Sequence, residues 1–475
     1  MTFSEISLDE YTASSGVSLG RRVAAGELSP VQLAECALAI ARREEPRLNA
    51  YAALMPERAL AVAAQRETEV RGGRVRGPLH GVPIAAKDNM YIAGEPCWKG
   101  SLTTSDDPAP VSSPMVSRLE NAGTVIVGRT TTPEFGWKAV GNSPRTGVTR
   151  NPWNTECNTG GSSAGSGATV ASGAVPIATG TDAGGSIRIP ASFCGAVGFK
   201  PTLGAIPVWP GTVNENLSHA GPLTRSVEDA QCVFGITRGP DSRDPQSSFS
   251  APLPATSSPL RVAVIPTPFG VTPDAAVADV FDSAVAALAG AQLADMTETS
   301  LDRAAPREIF DALWVTGRGI GFADTVRTHR EVMDPALARL ADLAGDYSLP
   351  GFFTIMQQRR AFNEWAFSLF DTWDLLLMPT LPLTAFAAEA EVPEGGQREA
   401  ALPWTTWTPY TYAFNISGQP AISIPIGLSS NGLPVGMQIV GPWSADLQVL
   451  AFAARCAAVL NLSTNTMFSA APSQR

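Results

Sequence analysis

Residues 158–188 of this 475-residue chain read NTGGSSAGSGATVASGAVPIATGTDAGGSIR, two Gly-Gly-Ser clusters on either side of a short apolar run. No other stretch restricts the fold as strongly, because glycine admits backbone conformations and close approaches that a side chain forbids. A flexible Gly/Ser linker would not enclose the apolar AVPIA at 174–178, nor continue directly into RIPASFCGAVGFKPT at 188–202. A phosphate-cradling loop is a poor match as well, since neither the GxxxxGKS/T nor the GxGxxG spacing occurs. Such a density of small residues therefore calls for another explanation.

Around it the chain alternates helical and strand patterns. Ser29, Pro30 and Gln32 form a helix start with proline at the first helical position, leading into VQLAECALAIARRE, and a second helix is expected from about Pro56 to Arg71. GVPIAA before Lys87, TVIVG at 124–128, AVPIA at 174–178 and GAVGF at 195–199 read as strands, with a Ser113-capped helix ending at Gly123. A Ser/Pro stretch at 239–260 reads as a long surface crossing, after which RVAVIP restarts a strand. The segment from about 273 to 373 is mainly helical, and LLLMPT at 375–380, AISIPIG at 421–427 and VGMQIVG at 435–441 return to strands. This predicts an α/β protein whose late strands rejoin the first sheet. The expected division is an N-terminal helical segment at 1–75 packed on a catalytic core at 76–240. Residues 261–475 would complete the same α/β body, with a helical substrate-pocket insertion at about 273–373. The polar segment at 388–404 is expected to be a mobile rim.

Composition narrows the function. Lys and Arg number 34 against 44 Asp and Glu, a net charge of −10, which gives no broad footprint for nucleic acid or an anionic membrane. Six cysteines lie dozens of residues apart without a CxxC pair, and three histidines accompany them, a pattern that argues against a zinc site or a disulfide framework. The first residues, MTFSEISLDEY, lack a basic and apolar leader, and no stretch reaches 18 apolar residues. The expectation is a cytoplasmic protein acting on small molecules as a monomer or homodimer, without nucleic-acid or membrane partners or a zinc site.

Serine is the reactive residue that the Gly-rich run offers. Gly161-Ser162-Ser163-Ala164-Gly165 matches the GxSxG nucleophile elbow, but that motif needs an apolar strand before it and a downstream histidine. NPWNTECNT precedes it instead, and the histidines available are His219 and His329. A lysine serves as base in Ser-Lys variants when burial keeps it neutral. Lys87 ends the apolar run GVPIAA, a setting that only Lys200 approaches. The alternative for Lys87 is an ordinary lysine at the exposed end of a strand.

LHGVPIAAKDN at 79–89, GGSSAGSGA at 160–168 and GTDAGGSIRIPASFCGAVGFKPT at 180–202 together resemble the amidase signature family of serine hydrolases. The resemblance extends through NPWN at 151–154, GPLTRSVEDA at 221–230, DLLLMPTLP at 374–382 and the run from 415 to 442. It implies a single α/β/α fold with a twisted mixed β-sheet core surrounded by helices. It also implies a Ser-cisSer-Lys triad that uses neither a metal nor an organic cofactor. By motif, Ser186 corresponds to the nucleophile, Ser162 to a relay serine on a cis peptide, and Lys87 to the base. Ala183, Gly184, Gly185 and Ser186 would offer backbone N–H groups to an oxyanion. Ser163, Thr181, Asp182 and Arg188 read as supporting residues held by structural hydrogen bonds. Ala164 stands where the family commonly has glycine.

His80 reads as a core or turn histidine and Cys194 as a small buried hydrophobe. Trp137, Trp209, Trp314, Trp404 and Trp407 are candidates for an apolar acyl or aryl pocket. The implied activity is hydrolysis of amide C–N bonds through a covalent acyl-enzyme. The same chemistry would extend to aryl amides, carbamates or urethanes, and esters. Two alternatives remain. One is the glutaminase subunit of a tRNA-dependent amidotransferase, disfavoured because TTPEFGWKAVGNSPRTG stands where that subunit carries a DEF-x-MGSS-type segment. The other is a non-catalytic scaffold of the same fold.

Overall fold

The computed structural model describes residues 3–249 and 259–461. Residues 250–258 of the expected Ser/Pro crossing lie outside that range, as do the last residues of the chain. Ser29 starts the long first helix as its sequence predicts: its Oγ accepts from the N–H groups of Val31 and Gln32, and Pro30 needs no acceptor. That helix, Pro30–Leu48, buries Leu33, Ala34, Ala37, Leu38 and Ala41, a 3.6-residue stripe, and stops where Asn49 turns left-handed at φ 50°. A second helix spans Pro56–Arg71.

Among the described residues, eleven strands form one mixed sheet. In chain order they are β1 Tyr51–Leu54, β2 Pro83–Lys87, β3 Val125–Thr130, β4 Ile177–Asp182, β5 Val197–Lys200 and β6 His219–Thr224, followed by β7 Arg261–Val264, β8 Asp295–Glu298, β9 Leu375–Pro379, β10 Ala421–Leu428 and β11 Pro434–Val440. Their spatial order is β1-β3-β2-β4-β6-β5-β10-β11-β9-β7-β8. β2 runs parallel to β3 and β4, whereas β6 is antiparallel to both β4 and β5. β10 pairs antiparallel with β5, and this joins the late strands to the early ones.

The late strands alternate cleanly between two cores. Leu375 and Leu377 enter one, with Ile422 and Ile424, while Leu376 and Met378 enter the other with Ala421. A sheet covered on both faces explains why these strands read as continuous apolar runs. Full burial of each such leucine is worth about 1.5–3 kcal/mol, enough to fix the register. The second core is rich in aromatic rings and includes Phe310, Trp314, Trp404 and Tyr412.

Three strands of this sheet lie outside the sequence reading, the first being the four-residue edge strand β1, YAAL, between the first two long helices. β6, HAGPLT, is buried at every position, so it shows no alternation, and its Gly and Pro mask the strand. β8, DMTE, is a largely exposed edge strand within the otherwise helical 273–373 segment. The 388–404 segment is anchored rather than loose: Val392, Leu402 and Trp404 are buried, and Glu391 forms an ion pair with the buried Lys138.

Candidate active site

Lys87 is the last residue of β2 and is fully buried, at 0% exposure. Its Nζ lies 2.8 Å from Ser162 Oγ and 2.9 Å from Thr181 Oγ1, and its backbone N–H donates to Thr179 Oγ1 at 3.0 Å. Burial holds the ammonium form well below the usual lysine range. The negative charge of Asp182 opposes that shift and the positive charge of Arg318 adds to it. Lys87 is therefore not an ordinary lysine at the exposed end of a strand.

Ser162 follows Gly161 through a cis peptide bond, immediately before the helix Ala164–Ala171. The methyl of Ala164 faces Gly141. Ser163 N–H donates to the carbonyl of Ser186, and Ser163 Oγ donates to the carbonyl of Thr181 at 3.3 Å, so the two Gly-Gly-Ser turns are stitched together. Ser186 sits between β4 and the helix Arg188–Cys194 and is 9% exposed. Ser162, Thr181, Ala183 and Ser186 line one cavity of about 220 Å³.

Asp182 and Arg188 hold this turn. Asp182 Oδ1 accepts from Gly185 N–H at 2.7 Å and from Arg188 Nη2 at 3.0 Å; Oδ2 accepts from Ile187 N–H and Arg188 Nε. Burial would push this carboxyl up, but Arg188 outweighs it and holds the group well below the usual carboxylate range. Arg188 also donates to Thr411 O, Gln438 Oε1 and Asn415 Oδ1. Every nitrogen of this buried guanidinium has an acceptor. Breaking such a pair by removing one partner leaves an uncompensated buried charge, at about 3–5 kcal/mol. Arg188→Met should therefore lower unfolding stability in urea by that amount; a loss under about 1 kcal/mol would show that the network does not hold the turn.

Gly185 has φ 126°, and a Cβ there would come within 2.5 Å of Thr411 Oγ1, so only glycine fits. Its N–H is committed to Asp182, which removes it from the four expected oxyanion donors. The N–H groups of Ala183, Gly184 and Ser186 have no protein acceptor among the described residues.

Of the five tryptophans expected to line a pocket, Trp209 does so, half-exposed, with its ring edge to Tyr91. Trp137, Trp314, Trp404 and Trp407 do not line this cavity. Trp314 stacks on Phe310 and donates to the carbonyl of Trp137, Trp404 meets both Phe310 and Trp314 edge-on, and Trp407 stacks on Phe193. They are structural rings beneath the site, and a Cβ on Gly184 would strike Phe310 and Trp404. The sequence signal was aromatic density, which does not distinguish a pocket wall from a core.

His80, His219 and His329 are absent from the cavity lining. His80 Nδ1 accepts from Arg76 N–H in a buried turn, His219 lies by the carbonyls of Leu217 and Asp182, and His329 is exposed. Cys194 is buried, which pushes its thiol up. All six cysteines are free. Among the described residues no cluster of His, Cys, Asp or Glu could hold a metal ion, and no helix is long and apolar enough to cross a membrane.

Several residues of the site escaped the sequence reading. Asn89, next but one to Lys87, donates to Thr181 Oγ1 and lines the cavity. Asn415, Thr411 and Gln438 reach Asp182 and Arg188 from the far end of the chain. Arg318, on the helix Arg307–Gly321, lines the cavity with 7% exposure, and burial pushes its guanidinium down to about 10, still charged at neutral pH.

This large mixed sheet with helices is that of a hydrolase class known from solved structures. A bacterial aryl acylamidase of the amidase signature enzymes superposes with a TM-score of 0.84 at 27% identity, covering 98% of this chain and 99% of that one. The acylamidase of Rhodococcus erythropolis is 33% identical over 469 residues, 94% of this chain and 95% of its own. A glutamyl-tRNA(Gln) amidotransferase subunit from Symbiobacterium thermophilum is 34% identical over 480 residues, 92% of this chain and 95% of its own. The Amidase family matches residues 33–450, and the chain belongs to that family. It is an amidase, a hydrolase acting on amides.

Proposed function

We propose that the chain is a free-standing amidase in which Ser186 is the nucleophile, Ser162 the relay and Lys87 the base. The observation that carries this reading is the fully buried Lys87 Nζ, 2.8 Å from Ser162 Oγ, on a cavity that Ser162 shares with Ser186. A neutral amine has two N–H donors and one lone pair. Thr181 Oγ1 takes one donor, which leaves the lone pair free to accept the Ser162 proton.

Ser162 in turn takes the proton of Ser186, whose Oγ bonds to the substrate carbonyl carbon. The N–H groups of Ala183, Gly184 and Ser186 receive the developing oxyanion, each such donor being worth about 3–4 kcal/mol in the transition state. As the C–N bond breaks, the relay returns its proton to the departing amine. Water then attacks the acyl-enzyme by the same route and releases the acid. The end of the helix Arg307–Gly321 contributes Arg318 to the substrate cavity, and Phe322, just past that helix, lines it too.

The same triad accommodates aryl amides, carbamates and esters, since each presents a carbonyl with a group that can depart. A panel of 4-nitroacetanilide, a phenyl carbamate and 4-nitrophenyl acetate, together with a fluorophosphonate probe, tests the reading. The expected result is turnover of the anilide and labelling at Ser186; a protein that neither cleaves nor labels is a scaffold. Chelation with EDTA should leave turnover unchanged, and activity lost to EDTA and restored by zinc would defeat the metal-free mechanism.

The similarity to the Symbiobacterium amidotransferase supports a second reading, a glutaminase that works in a complex. Ammonia released from glutamine only in the presence of a partner protein would favour it over the free-standing amidase.

A further inference from the structure

The serines, Lys87 and the turn around Asp182 leave one buried charge at the same cavity without a role. Arg318 has no carboxylate partner within ion-pair distance among the described residues. Its Nη1 donates to the carbonyl of Phe135 at 2.7 Å, and its guanidinium lies 4.7 Å from the Trp314 ring centre and 5.8 Å from that of Phe322. Its Nε is sealed from water and has no acceptor, and Nη2 has none either among the described residues. Arg188 is the contrast, with Asp182, Asn415, Gln438 and Thr411 satisfying all three of its nitrogens. Rings suffice to pack a guanidinium, but a buried N–H left unpaired costs about 1–3 kcal/mol, and more when the group is charged.

Nε, closed to water, is closed to a ligand oxygen as well; Nη2 is the unpaired donor that is not sealed, and it offers charged N–H groups to an anionic oxygen at the cavity that Arg318 lines. Its distance from the chemistry is short in chain terms. Phe135, which fixes Nη1, precedes Gly136, where a Cβ would stand 3.2 Å from Ser162 Oγ. Gly136 and Arg318 line the same cavity as Ser162 and Ser186. The charges of that lining are one-sided as well: among the described residues it contains Arg318 and the half-exposed Lys99, and no Asp or Glu, in a chain whose net charge is −10. Lys99 forms no ion pair among the described residues and rests over the Tyr91 ring at 5.4 Å.

We propose that Nη2 of Arg318, assisted by Lys99, binds a carboxylate carried by the substrate, so that the preferred substrates are amides with an anionic group on the acyl or the amine side. This rests on the serine-hydrolase reading of the same cavity. A carboxylate would pair with Nη2 and compensate the charge of the guanidinium, and the low-dielectric surroundings strengthen the pairing. A neutral amide of the same shape leaves Arg318 unpaired.

The test compares kcat/KM within two matched pairs. One is glutaryl against pentanoyl 4-nitroanilide, and the other is 4-acetamidobenzoate against 4-acetamidobenzamide. In the wild-type enzyme the carboxylate member of at least one pair should be favoured at least about tenfold, mainly through KM, and the ratio should shrink as NaCl is raised, because the attraction is electrostatic. Arg318→Gln should bring that ratio close to one, and Arg318→Lys should keep part of it. Should Arg318→Gln fail to fold, the wild-type ratio and its salt dependence decide alone. A ratio within twofold of one in both pairs, with all four amides cleaved, would overturn the carboxylate site and leave the amidase reading standing. No cleavage of any of the four, with no fluorophosphonate labelling of Ser186, would overturn both.

Discussion

Ser186→Ala should abolish turnover of an aryl acylamide, by at least about a thousandfold in kcat, while the protein unfolds at the same urea concentration as the wild type. The two halves of that expectation have separate causes. Ser186 Oγ enters no hydrogen bond among the described residues, so its removal orphans no buried donor, and the carbonyl that receives Ser163 N–H belongs to the backbone and stays in place. The change adds no charge and leaves no large void. Activity, in contrast, loses the atom that forms the acyl bond, and neither Ser162, held by Lys87, nor Ser163, bonded to Thr181, is free to replace it. Turnover measured with the anilide and labelling by the fluorophosphonate probe should vanish together. Turnover within about tenfold of wild type would remove Ser186 as the nucleophile.

The parts of the site legible in the sequence are those where local chain geometry dictates residue type. Gly185 has to be glycine because of its φ and the proximity of Thr411, and Lys87 announces itself by ending a run of small and apolar residues that only a buried strand needs. The mixed α/β class was legible for the same reason, since β9, β10 and β11 are covered on both faces and so contain little but apolar side chains. What stayed hidden depends on contacts between distant segments. Asn415 and Gln438 serve Arg188 from positions 227 and 250 residues away, and nothing in their own neighbourhoods marks them as its partners. Arg318 lies on an amphipathic helix where an arginine reads as a solvated residue; only the fold turns it into the cavity. The tryptophans divide: Trp209 lines the cavity, whereas Trp137, Trp314, Trp404 and Trp407 lie outside its lining, because ring density alone does not separate a cavity wall from an aromatic core. At Gly185 the sequence places an N–H in the turn but does not reveal that Asp182 accepts it.

With an aryl amide as substrate, kcat/KM should rise with pH through a single titration below the ordinary lysine range, because Lys87 must be neutral to accept the Ser162 proton. The sign follows from the environment. Burial, aided by Arg318 and opposed by Asp182, lowers the affinity of Lys87 for its proton, so the protonated and inactive form is the low-pH form and activity is gained as pH increases. Lys87→Arg should fail at every pH, since a guanidinium remains charged. Lys87→Ala should remove most amide hydrolysis but spare part of any ester hydrolysis, because an amine has to be protonated as it departs whereas a phenolate does not. The amide-to-ester ratio of the Lys87→Ala variant therefore separates a proton donor from a merely structural residue, whose loss would depress both substrates alike. A profile flat from pH 6 to 9 with chemistry rate-limiting, or full activity in Lys87→Arg, would remove Lys87 as the base. No histidine lines the cavity to take its place, so the relay itself would then have to be abandoned.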